Sequence, residues 1–157
     1  MAKDRENAGH IMSGLDWDGA VQDISASAKY LISLGCLKVG VMGFCMGGAL
    51  SFAAAVRCPE ISAAAPFYGI PKPTLADLLQ IRIPVQSHFG ELDTAVGFSS
   101  PADYNALKEK LEKAGVAHEM HTYHAGHGFT NVNNPNHSAE ATKLALSRVY
   151  EFMQKHL

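Results

Sequence analysis

Residues 37–57 read LKVGVMGFCMGGALSFAAAVR, and this run decides the fold. Its opening part, Leu37 to Phe44, is apolar and rich in β-formers with almost no interruption, which suits an interior strand of a parallel sheet better than a half-exposed one. Cys45 to Arg57 continues as a helix of small residues and ends at Cys58-Pro59. From Val39 to Val56 no charge occurs for eighteen residues, the lower limit for a membrane span. Gly40, Gly43, Gly47 and Gly48 interrupt that stretch, and a strand, a turn and a helix account for the same residues without a bilayer.

Outward from this core the chain keeps alternating. On its N-terminal side, Asp16 to Leu34 carries Trp17, Ala20, Val21, Ile24, Ala28, Leu31 and Ile32 every three or four positions, and Gly35 stops it, so one amphipathic helix is predicted. On its C-terminal side, Ile61 to Tyr68 and Pro84 to Gly90 read as two further strands. Between them lie a proline-rich loop from Gly69 to Pro73 and a short helix around Leu75 to Leu79. Ser100-Pro101 opens a helix with a cap and a first-turn proline, and Tyr104, Leu107, Leu111 and Ala114 line one face of it as far as Gly115. Residues 118–124 alternate as a last strand, and Ser138 to His156 closes the chain as a helix carrying Leu144, Ala145, Val149, Phe152 and Met153. Such alternation calls for an α/β fold with a mainly parallel sheet and helices on both faces, a three-layer α/β/α sandwich.

Composition narrows the functional classes. The 157 residues, 47% hydrophobic and 18% charged, are those of a packed globular domain, and a single domain spanning 1–157 is expected. Thirteen basic against fifteen acidic residues leave a charge of -2 with no like-charge block, so nucleic acid and membrane are not expected partners. Cys36, Cys45 and Cys58 are too few and too oddly spaced for a disulfide framework and point to a reducing compartment, the cytoplasm. The opening MAKDRENAGH has no apolar core of the kind a secretory signal needs.

Three places carry chemistry. Gly43-Phe44-Cys45-Met46-Gly47 is a G-x-C-x-G elbow at the passage from strand to helix. A residue at its apex is presented at the carboxyl end of the sheet, where the helix N-terminus favours a thiolate and the Met46 N–H offers half of an oxyanion hole. Taken alone, the elbow fits equally well a close strand-helix contact with an inert core thiol. Asp93, in HFGELD, follows the third strand and is placed to orient a histidine, with Glu91 a rival carboxylate. His127, between Gly126 and Gly128, follows the last strand. Nucleophile, acid and histidine thus occur in the chain order of an α/β-hydrolase triad, each at the end of a different strand. His88 and Tyr68 also fall near this rim. His118, His121, His124 and His127 raise the question of a metal, but a strand through 118–124 turns His121 and His124 to opposite faces, and no metal is expected.

On these residues the chain resembles the dienelactone hydrolase family of α/β-hydrolases, which carry a cysteine in the elbow. The resemblance runs from about Asp16 to the C-terminus through VGVMGFCMGGAL, Phe67-Tyr68-Gly69, GELD and AGHGF. It implies a cofactor-free hydrolase of small esters or lactones, of the type that opens dienelactone to maleylacetate through an acyl-cysteine, with Cys45, Asp93 and His127 catalytic. Tyr68, Phe129 and Asn131 are candidate substrate contacts, Asn131 standing where the bacterial type has an arginine. The resemblance also implies that strands preceding the first helix in the family are not in this chain, together with a second oxyanion N–H, a glutamate that controls the thiol and a substrate-binding arginine. The strand Leu37 to Phe44 would then be an apolar edge, open to pairing with a second copy or another chain. The alternatives are a noncatalytic α/β module used as a structural or interaction subunit and, with no C-x-x-C motif to support it, thiol redox chemistry.

Overall fold

A computed structural model describes residue 12 and residues 14–157; the MAKDRENAGH segment lies outside them. The elements are α1 (Trp17–Ser33), β1 (Val39–Phe44), α2 (Met46–Arg57), β2 (Ile61–Phe67), a 3-10 turn (Leu78–Gln80), β3 (Val85–Gly90), α3 (Pro101–Lys113), β4 (His118–Tyr123) and α4 (Ala139–His156). The four strands form one sheet in the order β1-β2-β3-β4, and every neighbouring pair is parallel.

The helices start where local chemistry satisfies their first N–H groups. Asp16 accepts from Gly19 N at 2.9 Å, and Ser138 Oγ accepts from Ala141 N at 3.3 Å. At α3 the Asp103 carboxylate reaches back to Ser100 N at 3.0 Å and Ser100 Oγ at 2.6 Å, behind a proline in the first turn.

Helices cover both faces of the sheet. Gly43 lies so close to α2 that an added Cβ would sit 2.1 Å from Gly47 O, whereas on the other face a Cβ on Gly40 would meet Met153 of α4 at 2.8 Å. Phe89 stacks on Tyr104 of α3, on the α2 side. The centre is built from small residues: Ala53, Ala54, Ala63, Ala64 and Ala65 are fully buried, which lets α2 settle onto β2 with Phe52 and Phe67 filling the space around them.

Several expectations shift. β1 is an edge strand among the described residues, with Met42 46% and Phe44 37% exposed, which departs from the interior position read from its apolar run and agrees with the apolar edge that the family resemblance implied. Leu37 is 97% exposed and precedes the strand. The short helix expected around Leu75 to Leu79 is the 3-10 turn at Leu78–Gln80, nucleated by Asp77 accepting from Leu79 N. Ala114 is exposed as the C-cap of α3, and Leu144 is 46% exposed while Ala141 takes the buried position on α4.

Candidate active site

The elbow has the geometry its glycines suggest. Cys45 is the N-cap of α2 with φ 54 and ψ -117, a left-handed conformation that costs a non-glycine residue on the order of 1–3 kcal/mol. Packing holds it there. Cys45 N donates to Phe67 O at 3.1 Å, Cys45 O accepts from Gly48 N and Ala49 N, and Gly48 and Gly69 close on the turn with no room for a side chain. The thiol therefore stands at the start of a helix whose first amides have no side-chain cap, and the Met46 N–H is directed at the sulfur.

Two other loops converge on it. His127 Nε2 lies 3.1 Å from Cys45 Sγ, and His127 Nδ1 lies 2.8 Å from Asp93 Oδ2. The Asp93 side chain is fully buried, and that of His127 is 26% exposed. The loop that carries His127 is shaped by its glycines: Gly128 has φ +74, and Gly126 packs so closely on Asn136 that a Cβ would fall 2.7 Å from its side chain. Asn136 Nδ2 in turn donates to His127 O at 3.1 Å.

Electrostatics favour the charged pair. Burial alone would raise the Cys45 thiol, but the hydrogen bond and positive charge of His127, with the Met46 amide, more than offset it and bring the thiol below its ordinary value. The hydrogen bonds to Asp93 and then to Cys45 raise His127 to about 9 against the desolvation that lowers it. Burial likewise pushes Asp93 up, and the donors His127, Ala95 and Ser99 together bring it below the usual carboxylate range. The three shifts point the same way: each hydrogen bond along Cys45, His127 and Asp93 favours the charged form of the group it joins.

The remaining candidates fall differently. Tyr68 is 2% exposed, has φ 34, shares a 2.6 Å hydrogen bond with Thr130 Oγ1 and sets its ring edge against His127 at 5.1 Å; it supports the histidine loop and offers little surface to a substrate. Phe129 is fully buried between Tyr68 and Tyr123, which removes it as a substrate contact. Asn131 is exposed and its Oδ1 accepts from Asn133 N. Glu91 is turned away from His127 toward Thr122 and His124.

His88 is not a rim residue. It is fully buried, stacked on Phe67 at 4.4 Å, with Nδ1 bonded to Tyr123 OH at 2.8 Å and Nε2 to Gln86 Oε1 at 3.1 Å. Burial, then the charges of His121 and Arg148, lower it to about 3, so it stays neutral. His118 Nδ1 turns to Val116 O, His121 lies 5.5 Å from His88, and His124 sits beside Glu91. Among the described residues no group of three potential ligands is gathered for a metal ion.

Ser99 and Thr130 join the site without any signal in the sequence, because each acts across a loop contact. A cleft of about 840 Å³ lies at the opposite ends of β3 and β4 beside Pro84, His118 and Phe152, and is not part of this arrangement.

A parallel sheet whose first strand runs through a strained elbow into a buried helix, with an acid and a histidine on later strand ends, defines an α/β-hydrolase fold. The chain belongs to the dienelactone hydrolase family, whose model matches residues 1–157. It is 29% identical to a carboxymethylenebutenolidase of Pseudomonas putida over 157 residues, covering 96% of this chain and 64% of that protein. It is 33% identical over 123 residues to Protein usf of Aquifex pyrophilus, covering 74% and 52%. A crystal structure from Klebsiella pneumoniae, "Putative Dienelactone Hydrolase", superposes with a TM-score of 0.81 at 22% identity, over 92% of this chain and 64% of that one. The chain thus spans 64% of the length of the Pseudomonas putida relative. No helix among the described residues is long and apolar enough to cross a membrane.

Proposed function

We propose that this chain, acting as a single α/β-hydrolase-like domain, hydrolyses small carboxylic esters or lactones through an acyl-cysteine on Cys45. The observation that carries the reading is the unbroken relay from Cys45 Sγ to His127 at 3.1 Å and from His127 to Asp93 at 2.8 Å. The Cys45 thiolate attacks the carbonyl carbon while the Met46 N–H receives the developing oxyanion. As the tetrahedral intermediate collapses, the C–O bond to the leaving group breaks and His127 Nε2 delivers its proton to the departing oxygen. Water then attacks the thioester, His127 accepts its proton, and the acid is released with Cys45 restored. Asp93 holds the Nδ1–H tautomer throughout and stabilises the positive charge at each stage where Nε2 is protonated. A lactone differs only in that the leaving alcohol stays tethered to the acyl group.

The carboxymethylenebutenolidase relatives support a lactone among the substrates. Three free cysteines fit a reducing compartment such as the cytoplasm. The open edge of β1 is read as a pairing surface for a second copy or another chain.

The test is hydrolysis of an activated aryl ester by the parent, Cys45→Ala and His127→Ala. Both variants are expected to fall to background, and variants indistinguishable from the parent would overturn the reading. Iodoacetamide at pH 7 is expected to label Cys45 ahead of Cys36, although Cys36 is the more exposed, because His127 and the Met46 amide favour the thiolate form of Cys45.

A further inference from the structure

The buried carboxylate of Asp93 is served by three donors from one short loop and one distant histidine. Oδ1 accepts from Ala95 N at 2.9 Å, and Oδ2 accepts from His127 Nδ1 at 2.8 Å and from Ser99 Oγ at 2.8 Å. Ser99 is itself fully buried, and its Oγ lies 3.1 Å from His127 Nδ1. A serine has one hydroxyl proton. With that proton given to Asp93, Oγ presents a lone pair to His127, so the Nδ1–H is held between Oδ2 and Oγ.

We propose that Ser99 is a positioning residue of this site, its hydroxyl holding the Asp93 carboxyl in place and fixing the plane and tautomer of His127 so that Nε2 faces Cys45. The inference rests on the reading that Cys45 and His127 carry the hydrolysis. Two acceptors on one N–H define a ring plane that a single acceptor leaves free to swing, and an orienting group of this kind acts through the histidine without touching substrate. The backbone around Ser99 is built to hold it. Ser99 N donates to Ala95 O at 2.9 Å, and the Asp103 carboxylate that caps α3 also takes the N–H groups of Gly97 and Phe98. The cap of α3 therefore sets the direction of the Ser99 hydroxyl.

The other groups facing the pair are Cys45 from the elbow, Tyr68 from the end of β2, and Tyr104 from α3, which is raised first by burial and then by the charges of Glu91 and Asp93, while the Glu91 carboxylate itself turns away to Thr122 and His124. The Ser99 hydrogen bond lowers Asp93. Its loss lets Asp93 take up a proton at higher pH, which removes the counter-charge of His127 and weakens the support that His127 gives the thiolate form of Cys45.

The experiment is the pH dependence of Cys45 alkylation by iodoacetamide in the parent, Ser99→Ala and Ser99→Thr, with thermal unfolding and aryl-ester kinetics alongside. In Ser99→Ala the acid limb of alkylation moves to higher pH, and kcat falls on the order of tenfold with KM unchanged. Ser99→Thr, which keeps the hydroxyl, retains the parent limb. An acid limb in Ser99→Ala identical to the parent's overturns the proposal, whatever the change in Tm, since a purely structural serine would alter stability alone. Should Ser99→Ala fail to fold, a folded Ser99→Thr with the parent limb supports the proposal and one with a displaced limb overturns it. Alkylation needs no turnover, so a parent that labels at Cys45 but leaves the ester intact refutes the hydrolase reading while the limb still decides the role of Ser99.

Discussion

Replacing Gly48 by alanine tests the elbow directly. The added Cβ would stand 2.1 Å from Phe67 O, where real Cβ contacts do not fall below 3.0 Å, so α2 and β2 must separate by about 0.9 Å. Both neighbours are backbone, and neither can swing aside as a side chain would. Overpacking of this kind costs about 1–3 kcal/mol. At roughly 2–4 °C per kcal/mol for a domain of this size, Tm is expected to fall by about 2–12 °C. The same displacement strains the 3.1 Å bond from Cys45 N to Phe67 O and the 3.1 Å contact from Sγ to His127, so iodoacetamide labelling of Cys45 at pH 7 slows as well. Gly47→Ala is the control. Nothing lies within 4 Å of its Cβ position and its φ is not positive, so a helical alanine there leaves stability equal or up to about 1 kcal/mol higher. Differential scanning calorimetry and timed alkylation read both effects. A Gly48→Ala protein that melts and labels like Gly47→Ala would show that the tight contact is not what forms the elbow.

Two further outcomes follow from the buried histidines and the open edge. His88 is lowered to about 3 in the folded chain and titrates near 6.5 when unfolded, so its contribution is fully present above pH 6.5 and is lost as pH falls toward 3, by at most about 5 kcal/mol. His127 has the opposite sign: raised to about 9, it stabilises fully below pH 6.5 and loses that contribution as pH rises through 9. Urea unfolding of the parent is expected to weaken steadily from pH 6.5 to 4, and His88→Gln to flatten that slope; equal slopes would mean His88 is not the group being charged. At the other end of the sheet, Met42 and Phe44 on the bare β1 edge are expected to draw a second chain. Size-exclusion chromatography should then give an assembly larger than 16.8 kDa, and Met42→Lys should shift it toward the monomer. A stable parent monomer with low binding of a hydrophobic dye would count against pairing.

What the sequence determined by itself was local. Asp16, the Ser100-Pro101 pair and Ser138 mark helix starts because a cap bonds within its own turn, and the apolar runs mark strands because side-chain alternation is a property of a single segment. Chain order together with strand ends was enough to nominate Cys45, Asp93 and His127, since a parallel sheet brings all its carboxyl ends to one rim. Where the choice depended on a neighbour, the tertiary structure decided. β1 is apolar because α2 and α4 press on its two faces, which leaves its position at the edge invisible in its own residues. His88 points inward because register sets it in a cross-strand row with Phe44, Phe67 and His121, and Phe129 is buried because Tyr68 and Tyr123 close over it. Ser99 reaches Asp93 and His127 only because the cap of α3 folds the preceding loop back onto them. The contact from Ser99 to His127 spans 28 residues, and a hydrogen bond across such a gap exists only once packing has brought its two ends within reach.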